Sequence, residues 1–174
     1  MPSRLRVPLG YLAGVVALWL AHPRGSLVAA GLAFALAGEA IRIWASGHIE
    51  KTVRLATGGP YAHTRNPLYF GSVLMGLGMA VAAGSLWVVL AAVVYFGAFY
   101  PSTIRAEASF LREKFREEYT AWAREVPIFV PRIRPAGPRA SRFSLARVRG
   151  NREVRTALAL PAVAAALYLR SYWN

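Results

Sequence analysis

Between Arg65 and Arg105 lie 39 residues, 66–104, without one Asp, Glu, Lys or Arg. A helix needs roughly 20 apolar residues to cross a hydrocarbon layer about 30 Å thick, so this stretch is long enough to cross twice. A soluble domain of 174 residues has no room to bury it. The pattern predicts a transmembrane hairpin. One helix runs over 68–81, the hinge falls at Ala82-Ala83-Gly84-Ser85, and a second helix runs from Leu86 to about Thr103.

Two apolar runs precede the hairpin. Residues 7–21, flanked by Arg6 and by His22-Pro23-Arg24, read as an uncleaved first span that recruits its flanks. Residues 25–45 have spanning length but carry Glu39 and Arg42, one turn apart on one helix face. An ionisable pair inside a span is a functional candidate as well as a structural ion pair. A last run, 156–169, lies between Arg155 and Arg170 with Pro161 inside it, and reads as a fifth span or an interfacial helix. The expected fold is all-α: a polytopic membrane protein with four to five transmembrane helices plus a cytoplasmic amphipathic helix.

The net charge of +13 comes from 21 Lys+Arg against 8 Asp+Glu. A basic balance of this size suits nucleic acid or an anionic membrane, and its distribution separates the two. Thirteen of the cations fall in 104–155, with further ones before residue 7 and in 47–66. By the positive-inside rule these three segments are cytoplasmic, which puts the protein in the inner membrane if the source is prokaryotic. The arginines of 139–155 then face anionic lipids, and no nucleic-acid partner is needed. The 56% hydrophobic content excludes disorder, and the absence of Cys excludes disulfides and thiolate metal sites. His48 and His63 have no metal-ligand spacing, and no metal is expected; each is an interfacial polar residue or a contact to substrate or cofactor.

Two segments carry the candidate chemistry. In 104–126, Ile104, Ala108, Leu111, Phe115, Tyr119, Trp122 and Val126 recur at steps of three and four, which is one helical stripe. Glu107 sits near the start of that helix, where pairing with Arg105 or with a helix N-terminus would also explain it. Pro127 ends the helix and opens an extended strip to Pro131. In 58–71, Asn66 suits an N-cap and Pro67 a first helical residue. The free amides of such a helix start make an anion site, beside which Arg65 adds a positive fork. Gly71, Ser72, Gly76 and Gly78 keep one side of the next helix narrow, for close packing or for a ligand.

These residues resemble a known family. Gly59-Pro60-Tyr61 followed by Arg65-Asn66-Pro67-Leu68-Tyr69-Phe70-Gly71 resembles the G-P-Y…R-[HN]-P-x-Y-x-G block of isoprenylcysteine carboxyl methyltransferases and phospholipid methyltransferases. Glu107, Leu111, Phe115, Tyr119, Val126, Pro127 and Pro131 follow, in order, their E-E-x-x-L…F-G-x-x-Y…V-P-x-x-x-P block. Arg42-Ile43-Trp44-Ala45-Ser46-Gly47-His48 is similar to the segment that ends the second span in bacterial members. Two departures stand out: Ala108 replaces the second Glu, and Arg116 replaces the Gly after Phe115.

The resemblance implies one integral-membrane methyltransferase domain over 1–174, with a family-like core at 40–131, a basic linker at 132–153 and a C-terminal hydrophobic helix at 154–171. It implies S-adenosylmethionine as cofactor, S-adenosylhomocysteine as product, and a lipophilic acceptor that enters from the bilayer. Isoprenylcysteine-type carboxyl O-methylation leads, with a phospholipid amine or a phenolic or quinone-like lipid as alternatives. By the same resemblance Gly59, Pro60, Tyr61, Arg65, Asn66, Pro67, Tyr69, Gly71, Glu107, Leu111 and Tyr119 bind the cofactor. Arg105, Glu107 and His48 are the catalytic candidates, and Trp44, Gly47 and His48 border the acceptor. Competing classes are a non-catalytic lipid-binding protein, suggested by Ala108, and a small transporter, for which the chain shows no internal repeat.

Overall fold

The computed structural model describes residues 14–50, 53–136, 142–151 and 153–172. The expectations about the basic N-terminus and the first half of the first span lie outside these; residues 14–19 are helical. Five further helices follow: α1 Gly25–Ser46, α2 Pro67–Ala82, α3 Leu86–Glu125, α4 Leu145–Gly150 and α5 Glu153–Arg170. A 3-10 turn, Gly59–Ala62, precedes α2. No strand occurs among the described residues.

Two helices, α1 and α3, are long and apolar enough to cross a membrane. At 1.5 Å per residue the 22 residues of α1 reach about 33 Å. The 16 residues of α2 reach only about 24 Å. Leu160–Arg170 is likewise a shorter apolar helix. The hinge falls where the sequence puts it: α2 stops at Ala82, and Gly84 takes φ +69°, a left-handed value that suits glycine.

The sequence predicts a fresh helix at 104, and the structure corrects this. α3 runs through that point without a break, because a change from uniformly apolar to amphipathic patterning needs none in the backbone. The break comes later, at Arg116, where φ 42° and ψ −109° mark a kink between two helical stretches. Glu107 therefore sits in the interior of a helix rather than in its first turn.

The chain divides into two compact units. The first, from Met1–Ala37, Val73–Thr103 and Ala157–Asn174, is held by small residues. A Cβ on Gly31 would strike the Gly78 carbonyl, and one on Gly78 would lie 2.6 Å from the Gly31 carbonyl, so α1 and α2 meet backbone to backbone there. Ala21, Ala80, Ala82, Ala83, Val88 and Leu167 form its buried cluster.

The second unit comprises Gly38–Ser72 and Ile104–Thr156. Its core is Ala45, Leu55, Tyr61, Tyr119, Trp122, Val126 and Ala136, with Ala108, Leu111 and Phe115 packed against it. The predicted stripe is thus the inward face of α3. The basic 132–153 stretch does more than connect. Val148 of α4 is buried, the Ser144 amide donates to the Gly47 carbonyl (3.0 Å), and the Asn151 side chain donates to the Ser46 carbonyl (2.9 Å). Both of those carbonyls belong to the end of α1, where no further helical turn exists to use them.

Candidate functional site

Every residue of the site lies in the second unit. Its frame is a seam between the 62–66 loop and the strip that follows α3. The Arg65 amide donates to the Pro127 carbonyl (2.9 Å), the Asn66 side-chain amide to the Ile128 carbonyl (2.8 Å), and the Thr64 hydroxyl to the Phe129 carbonyl (2.8 Å). Farther along, Arg132 N–H donates to the His63 carbonyl, His63 Nδ1–H to the Arg132 carbonyl, and Ala136 N–H to the Ala62 carbonyl. Pro127 and Pro131 bracket the strip, and proline fixes φ and carries no N–H. The strip therefore presents three successive carbonyls to the loop. Thr64 is 2% exposed, so its hydroxyl would have no water to fall back on.

The seam positions the start of α2. The Asn66 carbonyl accepts from Phe70 N–H (3.0 Å), which makes Asn66 the N-cap by backbone, while its side chain is committed to Ile128. Pro67 is fully buried. Beside it the Arg65 guanidinium reaches the Tyr119 hydroxyl at 3.4 Å, while Arg65 Nε is buried with no hydrogen-bond partner. A buried, unpaired guanidinium N–H is costly. A carboxylate, which accepts from such a fork in a planar fashion, would satisfy it.

Tyr61 forms the next wall. Its carbonyl accepts from the Trp122 indole N–H (3.1 Å), and its ring is buried. Burial pushes the Tyr61 phenol well above its usual range, and the negative charges of Glu107 and then Glu153 raise it further. The Tyr61 hydroxyl therefore lies in the field of Glu107, a residue 46 positions later. Glu107 itself is exposed on α3, and Leu111, one turn on, packs against the core. Arg105 is exposed too. At 100° per residue it points about 200° away from Glu107, so the two do not face one point. Tyr69 is half-buried in the first turn of α2.

His48, 7% exposed, lies at the end of α1. Its Nδ1 faces the Trp44 carbonyl at 2.8 Å, and since a carbonyl only accepts, Nδ1 carries the proton. A neutral ring then keeps its lone pair at Nε2. The ring rests on Gly59, whose φ is +57° and where a Cβ would come within 2.5 Å of Nε2. Glycine is needed there twice, for the backbone and for the histidine. Trp44 packs near both His48 and His63, with ring centroids 6.3 and 6.0 Å away. Phe143 closes over His48 at 5.9 Å and fills the space that a side chain at Gly47 would need. Gly71 serves a helix contact: a Cβ there would lie 2.6 Å from the Gly38 carbonyl and 2.8 Å from Arg42 Cγ.

Sequence reasoning found the Glu39–Arg42 pair but missed what completes it. Arg42 donates to Glu153 Oε2 at 2.7 Å and to the Ser72 hydroxyl, while Glu39 Oε2 lies 3.6 Å from Arg42 Nε. Glu39 is 5% exposed, and neither of its oxygens has a hydrogen-bond partner. Among the described residues, two buried acids thus share one base. A signal for Glu153 was available: it is the only acid after Glu125, set in a stretch rich in arginine.

Residues 26–118 match the phospholipid methyltransferase family. The chain is 37% identical over 94 residues to the cobalt-zinc-cadmium resistance protein CzcN of Cupriavidus metallidurans, covering 53% of this chain and 43% of that protein. It is 35% identical over 96 residues to the nickel-cobalt-cadmium resistance protein NccN of Alcaligenes xylosoxydans xylosoxydans, covering 53% and 44%. The matched part therefore spans less than half the length of these curated relatives. No solved structure matches. The family match takes in Glu39, Arg42, His48, the whole 58–71 block, Glu107 and Leu111, and with more than half of its length matched the chain belongs to the phospholipid methyltransferase family.

Proposed function

We propose that this chain transfers a methyl group from S-adenosylmethionine to a lipophilic acceptor drawn from the bilayer. The observation that carries the reading is the seam. It gathers Arg65, Asn66–Pro67, Tyr61 and Tyr119 into one place, and Glu107 stands on α3 beside Ala108 and Leu111, which pack against the core that holds Tyr61. The donor set fits the cofactor. Arg65 Nε is a buried N–H awaiting an acceptor such as the methionine carboxylate, and the exposed Glu107 carboxylate suits a ribose hydroxyl or an amino group. Tyr61, Tyr69 and Tyr119 would supply the aromatic wall beside the bound cofactor. When bound, the cofactor supplies an electrophilic sulfonium methyl.

The protein's own contribution is placement and exclusion of water. Holding an acceptor in line is worth up to several kcal/mol, and a dry pocket favours reaction between unlike charges. A carboxylate acceptor of the isoprenylcysteine type needs no base. His48, its Nε2 oriented by the Nδ1–H bond to Trp44, is the group that would take a proton from a phenol or an amine. A second reading, a phospholipid amine, is favoured by one observation: the buried acids Glu39 and Glu153 outnumber Arg42, which suits a cationic headgroup. In either case α2 and α5 join α1 and α3 as spans, shortened by thinning of the bilayer or by snorkelling ends. The N-terminus, the site and the basic 104–155 segment face the cytoplasm and its anionic lipids.

The test is incubation of purified protein with methyl-labelled S-adenosylmethionine and a total lipid extract. Label that base releases as methanol marks an ester, and label that survives base on a lipid amine marks the second reading. Glu107→Gln abolishes cofactor binding by calorimetry. Near-native affinity in that variant, or no label in any lipid fraction, ends the proposal.

A further inference from the structure

We propose that the first unit carries a built site for one anionic phospholipid, with a hydrocarbon chain in a cavity among its helices and the headgroup phosphate at Arg170. This goes beyond the methyl-transfer reading and does not depend on it.

The cavity measures about 320 Å³, and its walls include Leu20, Met79, Ala83, Trp87, Phe96 and Leu167. That is roughly ten times the ~30 Å³ a water takes up in the liquid, yet walls this apolar do not hold water. It exists because Gly76, Ala80, Ala83, Ala91 and Ala92 leave little side chain where three segments meet. The surrounding surface is also apolar: Trp19, Leu86, Trp87 and Val94 are each about 70% exposed or more. In a bilayer, lipid chains bathe such a surface, and hydrocarbon fills such a cavity.

The polar end identifies the headgroup. Leu18 and Leu20 line the cavity, and the carbonyl of Trp19, between them, accepts from Arg170 (3.3 Å). Leu167, also in the wall, is one turn before Arg170 on α5. The guanidinium therefore stands at the mouth, exposed, with five N–H donors of which the carbonyl can use only part. His22 is at the same end, through its amide to the Ala83 carbonyl and its Nδ1 to the Leu20 carbonyl. None of the eight glutamates of the chain lies in the three segments of this unit, and the sequence has no Asp. Among the described residues of its own unit, Arg170 has no carboxylate side chain to pair with. A phosphate with two acceptor oxygens supplies what is missing.

The test uses the full chain in non-ionic detergent with equal amounts of phosphatidylglycerol and phosphatidylcholine of one chain length, read by native mass spectrometry at rising collision energy. One phosphatidylglycerol is retained at least fivefold over phosphatidylcholine. Arg170→Gln brings the ratio to about one, and Ala92→Phe, which fills the cavity, removes the retained lipid of either kind. Because Ala92→Phe perturbs a packed position, its melting curve is recorded alongside, and the exposed Arg170→Gln is the independent arm. Equal retention of the two lipids by the unaltered protein, an unchanged ratio in Arg170→Gln, or full retention in a folded Ala92→Phe overturns the site. So does transfer of methyl label to the retained molecule, which would make it the acceptor.

Discussion

The two units of this chain are held together by different physics. The first makes its contacts with what is missing: at Gly31 and Gly78 the absence of side chains lets two backbones touch, and its buried cluster is mostly alanine. The second makes its contacts with polar groups, through the seam between 62–66 and 127–136 and through Arg42 between two acids. Where neighbours are as apolar as lipid, burial gives no drive to associate and close packing has to supply it. Directed hydrogen bonds and charges place individual atoms, which is what a site for a polar cofactor requires. Each unit should therefore fail in its own way.

The largest loss is expected at Arg42. Arg42→Leu removes the one described base that Glu39 and Glu153 share, and breaking a buried pair by removing one partner costs about 3–5 kcal/mol. Thermal unfolding in detergent measures it. Glu39→Gln sharpens the point in the opposite direction, since it removes the surplus charge while Arg42 keeps Glu153, and it should leave the melting temperature unchanged or raise it. A fall as large as that of Arg42→Leu would mean that Glu39 is partnered after all.

Next comes the first unit. Gly31→Val drives a branched side chain into the Gly78 carbonyl and the Ala82 amide, both of them backbone atoms that cannot swing aside. Overpacking of this kind costs about 1–3 kcal/mol or more. The same change at Gly97, whose Cβ position is open, should cost under about 1 kcal/mol. Equal losses at the two sites would show that Gly31 owes nothing to the close backbone contact, since valine is a better helix former than glycine at either position.

Much of this contrast is legible in the sequence, and the gaps have physical reasons. The hairpin hinge at 82–85 and the inward stripe from Ile104 to Val126 follow from local patterning, and the meeting of the two family-like blocks is what the resemblance implies. Glu153 does not, because its partner lies 111 residues away and no local pattern encodes that distance. The continuity of α3 through residue 104 was hidden by a change of environment that resembles a change of element. The docking of α4 and Phe143 on the end of α1 escaped because an arginine-rich stretch reads as solvated whatever its few apolar residues do.

A smaller effect separates Tyr61 from the exposed tyrosines. Its folded pKa is raised, chiefly by burial, so below pH 10 the phenol is protonated in both folded and unfolded chains and stability is unaffected. Above the unfolded value of about 10 the unfolded chain releases the proton while the folded chain keeps it. Stability then falls by about 1.4 kcal/mol per pH unit until the folded pKa is reached. Melting temperatures from pH 9 to 11.5 should decline less steeply in Tyr61→Phe than in the unaltered protein. Parallel curves would place the Tyr61 hydroxyl in water.

The smallest effect concerns the backbone of the second unit. Arg116 holds φ 42° and ψ −109°, outside the region comfortable for a residue with a Cβ, at the position where the family-like block carries glycine. Strain of this kind costs about 1–3 kcal/mol. Glycine would remove it at the expense of about 0.5–1 kcal/mol of extra freedom in the unfolded chain. Arg116→Gly should therefore stabilise by about 1 kcal/mol, visible as a rise of a few degrees in melting temperature. Arg116→Ala separates strain from charge. It removes the cation that stands one turn from Arg112, yet it keeps the Cβ, so it should recover little if the backbone is the cause. A gain from alanine equal to that from glycine would assign the cost to repulsion between arginines and leave the kink unstrained.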